Sequence, residues 1–291
     1  MVRLFIVMII KHRLFSFKLN LVYNIVKETN KCIKVISMKR YKGYLLDLDG
    51  TIYKGTEPIL EAVQFVRQLK EKEISYLFVT NNSSRTPKQI AEKLCLFGIP
   101  ATPEQVITTS MAAANYIYEI KKDASVYIIG EDGLIEACKE KGFIFKQEDA
   151  DFVVTGMDHD ISYEKYAIAC LAVRNGATFI STNSDIAIPT ERGLLPGSGS
   201  LTAVVTVSTQ TNPIVIGKPK SIIIEEAMKK LGISKEEILI VGDNYETDIL
   251  AGINIGIDTL LVHTGVTSKE QLKKYKEKPT YTIDSLKEWE I

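Results

Sequence analysis

The sequence predicts an α/β protein built on parallel sheets, and three observations carry that expectation. Apolar runs of three to five residues, too short for helices, alternate with amphipathic stretches of helical period. The alternation is strand, helix, strand, helix, the pattern of parallel strands joined by crossover helices. Several of the apolar runs end in clusters of polar side chains, and ligands bind open α/β sheets beyond the carboxyl ends of their strands.

A chain of 291 residues with 45% hydrophobic content is large enough for two domains with buried cores. Thirty-six basic residues balance thirty-six acidic ones, so charge points away from nucleic acid and acidic membranes and toward small molecules. Cys32, Cys95, Cys138 and Cys170 form no C-x-x-C pair, which suits reduced thiols in a cytoplasmic protein. Cys95, Cys138 and Cys170 sit among apolar helix-like residues and are expected to be small core hydrophobes. His12, His159 and His263 lack metal or triad spacing, so any catalysis falls to carboxylates.

Residues 1–37 carry Arg3, Lys11, Arg13, Lys18, Lys27, Lys31 and Lys34 against the single acid Glu28. The apolar run Leu4 to Ile10 is too short for a membrane span, and no small-residue cleavage site follows it. A membrane-surface helix is one reading. The other, favoured by Met38-Lys39-Arg40 just before the first strand, is an extension upstream of the natural start. No stable membrane insertion is expected, and self-association into a homo-oligomer is left open.

The first strand, Tyr44 to Leu46, is followed by a helix from Ile59 to Leu69. A strand at Ser75 to Val79 then runs into Thr80-Asn81-Asn82. Helices at Lys88 to Phe97 and Met111 to Ile120 flank a strand at Gln105 to Thr108. From about Lys121 the alternation restarts. Strands at Ser125 to Ile129, Asp151 to Thr155 and Thr178 to Ser181, with helices between them, predict a separate small sheet. Ile214 to Ile216 leads through Gly217-Lys218-Pro219 to a helix at Ile222 to Leu231. Ile238 to Val241 is a buried strand ending in Gly242-Asp243-Asn244, and strands at Thr259 to Val262 and Tyr281 to Ile283 close the chain. Lys269 to Lys278 reads as a solvated helix face.

Asp47 and Asp49 follow the first strand and precede Gly50. Spaced by two, they point to one side with attachment points roughly 6 to 7 Å apart, enough for one phosphoryl group between them. Two aspartates before a glycine also suit a solvated turn. A calcium loop starting at Asp47 fails, because its sixth and twelfth positions hold Ile52 and Pro58 where Gly and Glu are needed. The third reading is a nucleophilic aspartate beside an acid/base aspartate, which requires a cation and further carboxylates. Thr80, Lys218 and Asp243 each have an ordinary explanation as a cap, a loop lysine or a turn. Together with Asp49 and Asp248 they form polar clusters at strand ends that a parallel sheet brings to one edge.

In these clusters the chain resembles the haloacid dehalogenase superfamily. Its four motifs stand as Asp47-Leu48-Asp49-Gly50-Thr51, Thr80-Asn81, Lys218, and Gly242-Asp243-Asn244-Tyr245-Glu246-Thr247-Asp248. Val79-Thr80-Asn81-Asn82 and the stretch from Ser181-Thr182-Asn183-Ser184-Asp185 to Gly193–Ser200 are similar to the NagD-type, 4-nitrophenylphosphatase branch. The resemblance implies a Rossmann-like parallel-sheet core at 38–118 and 217–291, with an inserted α/β cap domain at 119–216.

It also implies a phosphatase acting on a small phosphorylated metabolite. Asp47 would attack phosphorus and form an aspartyl-phosphate, while Asp49 would protonate the leaving oxygen and later draw a proton from water. Magnesium would be held by Asp47, the carbonyl of Asp49, and Asp243, with Asp248 supporting it through water. Leu48, Thr80, Asn81, Lys218 and Asn244 would bind the phosphoryl group or substrate, and Asn183 and Asp185 would reach toward the site from the cap. Tyr245-Glu246 departs from the family's apolar-then-basic pair, which bears on contacts that tune substrate choice. A phosphotransferase or mutase could use the same intermediate, and a regulator could bind the same phosphometabolite without needing a general acid. A dinucleotide reading of Gly197 to Thr202 lacks the third glycine and a preceding strand; a Ser198- or Ser200-capped helix from Leu201 to Val207 is expected there instead.

Overall fold

A computed structural model of the protein describes residues 39–190 and 192–291, of which Tyr41–Ile291 form one compact unit. The expectations for residues 1–37, including Cys32, lie outside the described residues.

The larger sheet is wholly parallel. It contains β1 (Gly43–Leu46), β4 (Ser75–Thr80), β5 (Val106–Thr108), β13 (Ile238–Gly242), β14 (Asp258–Val262) and β15 (Tyr281–Ile283) in the order β15-β14-β13-β1-β4-β5. Leu46 pairs with Phe78 on one side and Val241 on the other, so β1 is central. All four of its residues are buried, as expected when helices cover both faces of a parallel sheet. Outward from β1 the chain builds β4 and β5 in one direction and returns much later to add β13, β14 and β15 in the other. The boundary between β1 and β13 is therefore the topological switch point, where the crevice of an open α/β sheet lies.

Between these strands run a two-residue hairpin, β2 (Tyr53–Lys54) and β3 (Glu57–Pro58), and the helices α1 (Leu60–Glu71), α2 (Pro87–Leu96) and α3 (Thr109–Ile120). The start of α2 is closed by a reciprocal cap between Thr86 and Gln89. The second sheet holds β6 (Ser125–Ile129), β7 (Ile144–Phe145), β8 (Phe152–Thr155), β9 (Thr178–Ser181) and β12 (Ile214–Val215), ordered β12-β9-β8-β6-β7 and also parallel. Its helices are α4 (Asp132–Glu140), α5 (Tyr163–Arg174) and α6 (Ser198–Thr209), and an antiparallel hairpin joins β10 (Ala187–Thr190) to β11 (Gly193–Pro196). The chain returns to the larger sheet through α7 (Ile222–Leu231), α8 (Leu250–Ile255) and α9 (Lys269–Lys274). One apolar cluster runs from Leu45 and Ile240 through Ile117 to Val126, Phe152 and Ile180, so residues of both sheets share a core.

Three expectations are corrected. The small sheet has five strands rather than three, because β7 and β12 join its edges. Helix α6 begins at Ser198, with Gly197 before it and no side-chain cap; Ser200 instead donates to the Ile186 carbonyl at 2.6 Å. Cys95 is exposed, since it lies on the outer face of α2, whereas Cys138 and Cys170 are buried as expected. Burial pushes the Cys138 thiol up to about 12.

Candidate active site

Strand β1 carries the first cluster to the crevice. The Asp47 N–H still donates to the Val241 carbonyl (2.9 Å), and the chain then turns sharply as the Leu48 carbonyl accepts from the amides of Ile52 (2.8 Å) and Tyr53 (3.2 Å). Gly50 sits in this turn at φ +85°, and a Cβ there would stand 2.3 Å from an Asp243 carboxylate oxygen. The turn therefore requires glycine for its backbone angle and for its close approach to the carboxylate.

Lys218 lies at the centre. Its ammonium donates to Asp47 Oδ1 (2.6 Å), Asp248 Oδ1 (2.6 Å) and the Val79 carbonyl (2.9 Å), using all three protons. Burial opposes its charge, but Asp248 and Asp47 outweigh burial and hold its pKa above the ordinary lysine value. One carboxylate oxygen each from Asp47, Asp243 and Asp248 lies within 4.8 Å of the others. Three carboxylates against one ammonium leave two formal negative charges in a nearly solvent-free site. Burial, and then Asp248, raise the Asp47 carboxyl well above its usual range despite Lys218; burial and Asp248 push Asp243 up to about 7. Such a set of oxygen donors with excess negative charge is suited to a hard divalent cation.

Asp49 occupies different surroundings. It is open to solvent on one side and accepts from the Tyr53 hydroxyl at 3.2 Å. The Lys93 ammonium lies 3.7 Å from the centre of the Tyr53 ring. Burial by the surrounding protein raises the Asp49 carboxyl, with Lys93 acting against it. Lys93 also lines a cleft of about 980 Å³, together with Arg85 on the same wall and Glu131, His159 and Lys165 on the wall built from the second sheet.

The other expected residues are placed as follows. Thr80 ends β4, where its buried hydroxyl accepts from the Asn82 amide (3.1 Å). Asn81 joins three segments: its Oδ1 accepts from the Lys218 N–H (2.9 Å), its Nδ2 donates to the Lys218 carbonyl (3.0 Å) and to Asp185 (3.2 Å), and its carbonyl accepts from Asn183 Nδ2 (2.8 Å). Asn183 and Asp185 thus reach the Lys218 loop through Asn81. The Asn244 side chain accepts from the Glu246 amide (3.0 Å), opening a π-helical turn over Tyr245–Ile249 that brings Asp248 back to Lys218. Within that turn Tyr245 is buried and stacks on Tyr275 with ring centres 3.7 Å apart, so its ring is committed to packing.

Sequence reasoning missed the residues that hold Asp243. The Thr51 hydroxyl donates to its Oδ1 (3.3 Å) and the Val266 amide to its Oδ2 (2.6 Å). Thr264-Gly265 follows the apolar run of β14, so it too is a polar cluster at a strand end. The rule that picked out the first clusters would have found it.

With this geometry in view, a model of haloacid dehalogenase-like hydrolases matches residues 44–144, and a HAD-hydrolase-like model matches 215–289. The chain belongs to the haloacid dehalogenase-like hydrolases. It is 66% identical to 5'-nucleotidase YutF of Bacillus subtilis (strain 168), over 87% of this chain and 98% of the relative. It is 52% identical to the acid sugar phosphatase of Staphylococcus aureus (strain USA300), over 86% and 97%. Among solved structures, a single mutant of thermostable NPPase from Geobacillus stearothermophilus superposes with a TM-score of 0.82 at 56% identity, covering 87% of this chain and 99% of that one. The p-nitrophenyl phosphatase from Archaeoglobus fulgidus gives 0.82 at 35% identity, covering 86% and 98%.

Proposed function

We propose that the protein is a magnesium-dependent phosphatase that hydrolyses a small phosphate monoester of the cytoplasm through an aspartyl-phosphate. The observation that carries this reading is the cluster at the switch point, where Asp47 and Asp248 hold Lys218 and form one group of carboxylates with Asp243. The relatives are named as a 5'-nucleotidase, an acid sugar phosphatase and p-nitrophenyl phosphatases, activities on small monoesters that support it. The free thiols of Cys138 and Cys170 support the cytoplasmic setting. Among the described residues no helix is long and apolar enough to cross a membrane.

Bound by Asp47, Asp243 and the Asp49 carbonyl, with Asp248 behind them, magnesium would supply the charge that keeps Asp47 ionised and offsets the phosphoryl oxygens. An Asp47 oxygen attacks phosphorus in line as the bond to the alcohol oxygen breaks, and Asp49 gives its proton to that oxygen. The same carboxylate then takes a proton from water, whose oxygen attacks phosphorus and releases phosphate and free Asp47. The raised Asp49 carboxyl favours the protonated form needed at the start. Lys218 holds Asp47 in place and supplies positive charge beside the phosphoryl group, while Thr80, Asn81 and the Leu48 amide complete its cradle and Asn244 shapes the approach. Residues 119–216 act as a cap, and the leaving alcohol occupies the cleft between Lys93 and the second sheet.

The experiment is phosphate release from 4-nitrophenyl phosphate and a panel of monoesters with and without magnesium. Turnover should require the metal and stop with EDTA, and Asp47→Asn should lower it by more than about 10³-fold while the protein stays folded. Folded, magnesium-supplied protein that is inactive on the whole panel would refute the reading.

A further inference from the structure

Thr264, Gly265 and Val266 follow β14 and belong to none of the four motifs. Their contacts nevertheless converge on the candidate metal site from two directions. The Thr264 hydroxyl donates to the Gly50 carbonyl at 2.6 Å, gripping the turn that follows β1. The Val266 amide donates to Asp243 Oδ2 at 2.6 Å, and the Thr267 amide to the Asp243 carbonyl at 3.0 Å, gripping the residue that follows β13. Between them, Gly265 packs so closely that a Cβ would lie 1.8 Å from Asp243 Oδ2.

The segment is itself anchored. The Thr267 hydroxyl accepts from the Tyr245 amide at 2.8 Å, and the Thr267 carbonyl lies 2.9 Å from His263 Nδ1. A carboxylate held at one oxygen by a backbone amide loses rotational freedom about its last bond. The ordering cost that a metal would otherwise impose is then met during folding.

We propose that Thr264–Val266 is a positioning segment that presets the Asp243 carboxylate and the Gly50 turn for the divalent cation. The role rests on the magnesium reading above. It gives a strand end outside the four motifs a share in metal affinity, carried by one hydroxyl, one amide and one missing Cβ.

The test is equilibrium magnesium binding to the full chain by titration calorimetry, for wild type, Thr264→Val, Thr264→Ser and Gly265→Ala. The valine and alanine variants should bind magnesium about tenfold more weakly, the range seen when outer partners of metal ligands are removed. In Thr264→Val, half-saturation of activity by magnesium should rise by the same factor. Thr264→Ser, which keeps the hydroxyl, should bind as wild type does. If Gly265→Ala fails to fold, the Thr264 pair decides. Wild-type binding that persists in Thr264→Val, even with a lowered Tm, would make the segment structural only and overturn the proposal. If the wild type takes up no magnesium, the metal reading falls first and this proposal with it.

Discussion

Asp47 and Asp49 are the same chemical group two residues apart, and under the proposed function their different surroundings suit them to different work. Asp47 is 13% exposed and bonded to a buried ammonium, whereas Asp49 is exposed beside a tyrosine hydroxyl. A nucleophile must be ionised and fixed in direction; a proton donor must be accessible to the leaving oxygen and to water. Asp49→Asn removes the proton, so the loss should depend on the leaving group. For an alkyl phosphate kcat should fall by about 10²- to 10⁴-fold. 4-Nitrophenolate departs without protonation, so its ester should lose far less in the first step, visible as a retained burst of 4-nitrophenol in rapid mixing. Equal loss with both esters in that burst would take the general-acid role away from Asp49.

At the scale of elements, Asp47, Thr80 and Asp243 stand at strand ends and Asp248 in a capped turn, so short local contacts aim them. The second sheet uses the same device away from the chemistry. The Asp151 carboxylate, just before β8, accepts from both the amide and hydroxyl of Ser125 on β6 (2.8 Å each) and pairs with Lys121 at 2.8 Å. The hydrogen bond from Lys121 and those from Ser125 hold its carboxyl down to about 2. A folded pKa below the unfolded one contributes stability that is complete above about pH 4 and lost as pH falls toward 2. Both partners keep about a third or more of their side-chain surface in water, which screens the interaction. Asp151→Asn should therefore cost ~1 kcal/mol at neutral pH. Urea denaturation at a series of pH values should show that gap closing between pH 4 and 2. A gap that stays constant would assign the effect to packing.

For the whole molecule, the question is whether the two sheets are thermodynamically separate. The apolar cluster that includes Leu45 and Ile240 also includes Val126, Phe152 and Ile180, and Asn81 ties the end of β4 to both Asn183 and Lys218. Losing one sheet would expose the face shared with the other. Tyr41–Ile291 should accordingly unfold in one calorimetric transition, with the van't Hoff enthalpy equal to the measured enthalpy. Two resolved transitions would show that each sheet keeps a sufficient core of its own.

The central strands, the polar clusters at their ends and the family they define were legible in the amino-acid sequence alone. Buried parallel strands read as unbroken apolar runs, and polar residues that stop such a run stand out against it. The hairpins β2/β3 and β10/β11 and the edge strand β7 were not legible, because two to four residues carry too little periodicity to register, and the apolar run of β12 did not show which sheet it would join. The exposure of Cys95 was decided by which face of α2 met the sheet. The direct bond of Asp248 with Lys218, 30 residues away, is made where the π-helical turn redirects the chain, and no local pattern announced it. Thr264 bonds a carbonyl 214 residues distant. Which chemistry the chain carries was set by residue types at strand ends, where local pattern suffices. How each carboxylate is aimed and charged was decided only in the fold, since hydrogen bonds and burial join residues that no local pattern connects.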